Sequence, residues 1–442
     1  MSIRHGWVEK FHGDQLVVAL ADLGILQRML RELNVSWGGT DSRPALGLAL
    51  MAGLKDAEVA HAVRTLEADP RIGPDLRVHR AARDNAHRER CEVSDLALLI
   101  KGIQLRFADR YRGWELRIGK NYQPSMVKGY PHTGGGEGQP TPTRDAFTAD
   151  AGEPMLKNPK PHTGGAADPP LTEAGAVPRD SSQPGRGVRV GLLDTRMFRH
   201  GSLADHYVGR EEDLLPPDQK DFTEFDGHCA FVASCILQQA PDAQLYLRHV
   251  LDDQGDGSAW DAAVAIAEMA PLGLDVVNLS LGEFMTDDNT APMVLEAAVR
   301  RLGPETVVVA AAGNNGDADH FPAGLVPAGV TPSTKAYPAA LPNVVGVGAI
   351  DQDGKLAPFT PHPAPWISLY ARGVDLNRAY LNGEVTVQNK AGVNPPTSQV
   401  SFSGTANWAG CSFAAGVVSG VIAAGVIPGR RSAREVLHTL LA

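Results

Sequence analysis

The sequence predicts a doubly wound α/β fold with a mostly parallel central sheet, preceded by a small N-terminal α+β domain and a Pro/Gly-rich linker. Two observations carry the main domain, residues 188–442. Short apolar runs rich in Val, Leu and Ala recur at 188–193 (VRVGLL), 243–250, 275–281 (DVVNLSL), 306–312 and 343–350 (NVVGVGAI). Between them, helical spacing appears at 228–239, 258–270, 290–302 and 412–425. Continuous apolar strands separated by helices indicate a parallel sheet covered on both faces. A third observation is a change of texture: residues 125–187 are dense in Pro, Gly, Thr and Asp and contain PHTGG twice, at 131–135 and 161–165.

Such a stretch offers too little apolar surface to offset its ordering entropy. We therefore expect 125–187 to be a flexible linker and the first site of limited proteolysis. Its His132 and His162 have no carboxylate or cysteine at ligand spacing, so no metal site is expected. Before the linker, residues 1–124 mix charge and apolar periodicity. Leu16, Leu20, Leu23, Leu30 and Leu33 fall at helical spacing, as do Val59, Val63 and Leu66. Segments 45–54 and 114–119 read as strands.

The formal net charge of −10 gives no nucleic-acid footprint and no basic membrane patch. The N-terminal stretch reads as an amphipathic helix, because Asp22 interrupts its apolar patch and no small-residue cleavage site follows. The longest apolar run, near 416–428, is too short and glycine-rich to span a bilayer. The four cysteines, Cys91, Cys229, Cys235 and Cys411, form no CxxC pair. Free thiols, cytoplasmic residence and no cofactor are the resulting expectations.

Four positions carry chemistry. Asp194 ends the first apolar run, where an acid can orient a histidine tautomer. His228 opens the helix 228–239. Ser412 opens the helix 412–425, next to backbone N–H groups and the positive dipole end. Asn314, in AAAGNNG after a buried run, can donate to a developing oxyanion. Each alone has an ordinary explanation: a loop cap, an exposed histidine, a serine N-cap, a turn asparagine.

Together, in the order Asp, His, Asn, Ser, they are similar to the subtilisin-like serine proteases. The pieces that carry the resemblance are GLLDTRMFRHGSLADHYVG, DGHCAFVASCI, DVVNLSLG, VVVAAAGNNGD, YPAALPNVVGVGAID and GCSFAAG, all within about 186–442. The resemblance implies a serine endopeptidase with catalytic Asp194, His228 and Ser412 and an oxyanion hole that includes Asn314. It also implies an extended peptide or protein substrate pairing with Ser280, Leu281 and Gly282 on one side and with Gly257 and Ser258 on the other.

The chain departs from the family at Cys229 and Cys411, which flank His228 and Ser412, and at Gly416, where proline is usual. Both thiols are expected near the cleft, with a helix N-terminus favouring the thiolate. An inactive peptide-binding relative is the alternative reading; a nucleotide-binding enzyme is disfavoured because no glycine-rich phosphate loop follows any strand. Residues 1–124 are expected to be a recognition module or a propeptide-like inhibitor that contacts the peptidase domain, with the lack of a leader favouring the former.

Overall fold

Alternation within one strand sets the architecture of the N-terminal unit. In β1 (Phe11–Ala19), Leu16 and Val18 point into a core of their own, while Val17 points to the opposite face. This is the two-residue period of a strand buried on both sides. The molecule is described by a computed structural model that covers residues 11–86, 94–126, 139–143, 155–159, 171–177, 183–284, 292–316, 330–388, 395 and 397–442.

The unit continues with α1 (Leu23–Glu32), β2 (Gly39–Arg43), β3 (Leu48–Ala52), α2 (Asp56–Ala68), α3 (Gly73–Ala86), α4 (Asp95–Arg110) and β4 (Ile118–Tyr122). Its antiparallel sheet has the order β2-β3-β1-β4. Leu26 and Leu30 of α1, Val63 and Leu66 of α2 and Ile103 of α4 pack beneath Leu16 and Val18. The helical spacing expected from Leu16 onward is corrected: residues 11–19 form a strand. The β-branched pair Val17–Val18 lies in a strand hydrogen-bonded on both sides, and that pairing overrides a spacing that also fits a helix. The first ten residues lie outside the described set.

Four short strands follow: β5 (Ser125–Met126), β6 (Thr141–Pro142), β7 (Leu156–Pro159) and β8 (Leu171–Glu173). They correct the expectation of a plain linker over 125–187. Backbone pairing needs no apolar side chain, so a Pro/Gly-rich arm can still add strands to open sheet edges. The PHTGG repeats, with His132 and His162, lie outside the described residues.

The main unit comprises β9 (Arg189–Asp194), β10 (Tyr207–Val208), β11 (Phe222–Thr223), α5 (His228–Gln239), β12 (Gln244–His249), α6 (Ala259–Met269), β13 (Val276–Leu279), β14 (Leu281–Phe284), α7 (Met293–Val299), β15 (Val307–Ala311), β16 (Ala336–Tyr337), β17 (Val344–Ile350), β18 (Ile367–Arg372), β19 (Leu376–Gln388), β20 (Thr397–Trp408), α8 (Cys411–Gly425) and α9 (Ala433–Leu441). A nine-stranded sheet runs β10-β12-β9-β13-β15-β17-β18-β7-β8. Its pairs are parallel from β10 to β18, and β7 and β8 add an antiparallel edge. Helices α5 and α8 cover one face and α6 and α7 the other. This is the predicted doubly wound arrangement. Among the described residues no helix is long and apolar enough to cross a membrane.

The two units share apolar surface. Val17, Leu46 and Leu48 join Trp260, Ala263 and Ile266 of α6 in one buried cluster. Fully burying a side chain of this kind contributes about 1.5–3 kcal/mol. The boundary near residue 124 is thus a change of sheet, with a continuous core across it.

Candidate active site

The order of strands reverses around β9: β12 lies on one side and β13 on the other. Ligands of open parallel sheets bind at such a reversal, beyond the carboxyl ends of the strands. Asp194 is the last residue of β9 and is fully buried. Its Oδ1 accepts the Thr195 N–H at 2.7 Å and the His228 Nδ1–H at 2.7 Å. The second contact makes Nδ1 the protonated nitrogen, because a carboxylate only accepts. Val250 and Leu251, at the end of β12, donate backbone N–H groups to the Asp194 carbonyl at 3.0 and 3.3 Å.

His228 begins α5, and the preceding turn, Glu224–Gly227, sets its entry. Within that turn the Asp226 carboxylate accepts the Thr223 N–H at 2.8 Å, and burial raises its pKa. A Cβ on Gly227 would lie 2.1 Å from a ring carbon of Tyr380, so only glycine fits there. The imidazole packs against Trp408 and Phe413, with ring centroids 5.6 and 5.4 Å away.

Ser412 is the second residue of α8. Small residues let α8 lie close to α5: a Cβ on Gly416 would meet Cys235 Cβ at 3.0 Å. Asn314 Oδ1 accepts the N–H of Cys411, the residue before Ser412, at 3.0 Å, which leaves Nδ2 as its donating end. A buried polar chain supports the serine from below. Ser419 Oγ donates to Asn278 Oδ1 at 2.9 Å, Asn278 Nδ2 to Ser280 Oγ at 2.9 Å, and Ser280 Oγ to the Ser412 carbonyl at 3.2 Å. Ser412 Oγ makes no hydrogen bond among the described residues.

The expected substrate strands are paired with the chain's own backbone. β5 runs antiparallel to β14, with Ser125 opposite Gly282 and Met126 opposite Leu281. On the other side, Gly257 N donates to the Pro124 carbonyl at 2.8 Å. Asn121 anchors this segment: its Oδ1 accepts the Trp260 N–H at 3.0 Å, and its Nδ2 reaches Gln15 Oε1 at 2.7 Å and Ser258 Oγ at 3.3 Å. Asp41 accepts the Trp260 indole N–H at 3.0 Å. The N-terminal sheet thereby caps the start of α6, where the first N–H groups have no intrahelical partner.

Of the residues singled out in sequence, Asp194 and His228 are in direct contact, Asn314 accepts from the residue before Ser412, Ser280 donates to the Ser412 carbonyl, and Leu281, Gly282 and Gly257 pair with residues 124–126. Asn278, Ser419, Trp408 and Asn121 were not foreseen. Asn278 and Ser419 do leave a trace, as single polar residues inside apolar runs.

The thiols differ from expectation. Cys229 and Cys411 are completely buried; burial lifts the Cys229 thiol well above its ordinary range, and the Cys411 thiol is pushed up to about 12. Desolvation outweighs the helix N-termini on which both residues lie. Among the described residues, no group of three or more His, Cys, Asp or Glu side chains is gathered to hold a metal ion.

Comparison with known proteins agrees with this geometry. Residues 185–426 match the family described as the subtilase family. The chain is 33% identical over 222 residues to a thermophilic serine proteinase of Bacillus sp. strain AK1, covering 46% of this chain and 50% of that protein. It is 32% identical over 206 residues to subtilisin Savinase of Lederbergia lenta, covering 44% of this chain and 67% of that protein. The chain thus spans about half the length of the first of these relatives. Among solved structures, fervidolysin from Fervidobacterium pennivorans, a keratinolytic enzyme related to subtilisin, aligns over 96% of this chain and 55% of its own, at 16% identity and a TM-score of 0.51.

Proposed function

Since the chain belongs to the subtilase family, we propose that it is a serine endopeptidase whose N-terminal unit acts as an intramolecular inhibitor. The observation that carries the first part is the buried 2.7 Å contact between His228 and Asp194, with the imidazole packed on Phe413, the residue that follows Ser412 at the start of α8. In this reading Ser412 Oγ attacks the peptide carbonyl. His228 takes the serine proton at Nε2 and returns it to the leaving amine. Asp194 holds the tautomer and offsets the imidazolium charge. Asn314 Nδ2 and the Ser412 N–H stabilise the oxyanion. Water then attacks the acyl-enzyme by the same steps in reverse roles. The serine–histidine bond forms in the substrate complex, since such bonds tighten there.

The inhibitor part rests on Pro124–Met126, which occupy both groove edges as a substrate would. That occupancy favours a propeptide-like role over a recognition module. Ser125 and Met126 run antiparallel along Gly282 and Leu281, in the direction of Ser280, whose hydroxyl donates to the Ser412 carbonyl, so the expected cut lies just beyond Met126.

Intact-mass spectrometry of freshly expressed wild type and Ser412→Ala tests both parts. The wild type should yield two fragments that meet just after residue 126, and Ser412→Ala a single chain. Fluorophosphonate should label the wild type alone. A wild type that stays whole, takes no label and turns over no peptide would instead be an inactive peptide-binding protein.

A further inference from the structure

One hydrogen bond does not fix an imidazole. The Asp194 contact pins Nδ1, but the ring can still swing about that contact and carry Nε2 away from the serine. Packing on the ring has to supply the remaining restraint. Trp408 is positioned to do so. It is the last residue of β20, only 2% exposed, and its ring meets His228 nearly edge-on at 86°. Three further rings brace it, Phe231 at 5.6 Å, Tyr380 at 5.8 Å and Phe413 at 5.0 Å, and Phe402 packs behind Tyr380 at 4.7 Å. Aromatic pairs at such separations hold defined relative orientations.

The strand that delivers Trp408 is itself held on both edges. β19 pairs with β20 along its length, and β6 pairs at Ala406 and Asn407, directly before the tryptophan. Thr141 Oγ1 donates to the Asn407 carbonyl at 3.3 Å, and Thr143 Oγ1 lies 2.7 Å from Thr405 Oγ1 and 3.3 Å from Asn377 Oδ1. These threonines belong to the Pro/Gly-rich arm, beyond the expected cut.

We propose that Trp408 is a positioning residue for the His228 imidazole and that the β6 segment, kept after cleavage, holds it in place. This rests on the peptidase reading above. Displacing a reacting group by about 1 Å costs on the order of a hundredfold in rate. Trp408→Leu should therefore lower kcat by about that factor while KM stays near the wild-type value. Trp408→Phe, which keeps a ring, should recover most of the loss. Thr143→Val should lower kcat by a smaller factor, again without a change in KM.

The experiment measures kcat and KM on a peptide substrate, fluorophosphonate labelling rates and melting temperatures for wild type and these variants. A folded Trp408→Leu protein with wild-type kcat, or with a change confined to KM, overturns the proposal. Should Trp408→Leu fail to fold, Thr143→Val decides, and an unchanged kcat overturns it. A wild type that neither labels nor turns over substrate would fail the peptidase reading instead, so the two failures are distinct.

Discussion

Met126 stands opposite Leu281 in an antiparallel pair, on the strand edge where a peptide substrate of this fold would lie. In the proposed reading the groove takes a substrate only when residues 124–126 leave it. Apparent affinity for a competitor then scales with the fraction of molecules that are open.

Asn121 sets that fraction. Its side chain joins Gln15 of the N-terminal unit to Ser258 and the Trp260 N–H of the peptidase unit. Losing such buried hydrogen bonds costs about 1–3 kcal/mol. In a Ser412→Ala background, where cleavage cannot intervene, Asn121→Ala should tighten the apparent Kd of a fluorescent groove-binding peptide about tenfold or more. Fluorescence anisotropy measures this. Equal affinity in the two proteins would show that Asn121 does not hold the segment down.

Asn314→Ala removes the side-chain donor of the proposed oxyanion hole and, with it, the Oδ1 that accepts the Cys411 N–H at the start of α8. The hydrogen bond strengthens as the oxyanion forms, so the loss falls on kcat. The expected size is on the order of 10²–10³, the magnitude known for such a donor in subtilisin itself rather than one derived from these distances. A change limited to KM would exclude the oxyanion role.

Legibility in the sequence followed locality. The strands at 188–193 and 343–350 and the helix at 228–239 were readable because their apolar pattern is continuous and their partners are similar strands. The run DVVNLSL was read as one strand, yet it divides at Ser280. Val276–Leu279 stays in the main sheet, and Leu281–Phe284 leaves it to pair with β5 and β16. That partner lies about 150 residues earlier in the chain, so no local pattern announces it. The arm was misread for a related reason. β7 pairs with β18 through backbone and buries one apolar side chain, Leu156, while the Asn158 amide donates to the Leu440 carbonyl of α9 at 2.9 Å. The triad candidates were legible only together, in the order and pieces that resemble the subtilisin-like proteases; each alone, at a strand end or helix start, has an ordinary explanation. Trp408 was not, because its role depends on a ring that is distant in sequence.

Gly227→Ala tests the packing behind His228. The added methyl would overlap the Tyr380 ring, which is fully buried and donates its hydroxyl to the Glu224 carbonyl at 2.7 Å. Overpacking of this kind costs about 1–3 kcal/mol. The melting temperature and kcat should both fall, and adding Tyr380→Leu should restore part of the stability. A thermal melt identical to wild type would mean that the turn relaxes freely.

The buried thiols predict a specific weakness in alkali. The Cys411 thiol titrates near 12 in the folded protein, against an ordinary 9.0, and that of Cys229 is also raised well above 9.0. Above pH 9 the unfolded chain releases these protons while the folded chain retains them. The unfolded state then binds fewer protons, so stability falls as pH rises. The loss begins near pH 9, continues toward 12 for Cys411, and amounts to about 1 kcal/mol per pH unit for each thiol. At pH 8 a pKa of about 12 leaves about one thiolate in ten thousand, so iodoacetamide should react with Cys411 in the native protein only very slowly. Urea melts at pH 8 and pH 10.5 should differ less in a Cys229→Ala, Cys411→Ala double variant than in wild type. Peptide mapping after native alkylation at pH 8 should recover both cysteines unmodified, and rapid labelling of either would refute their burial.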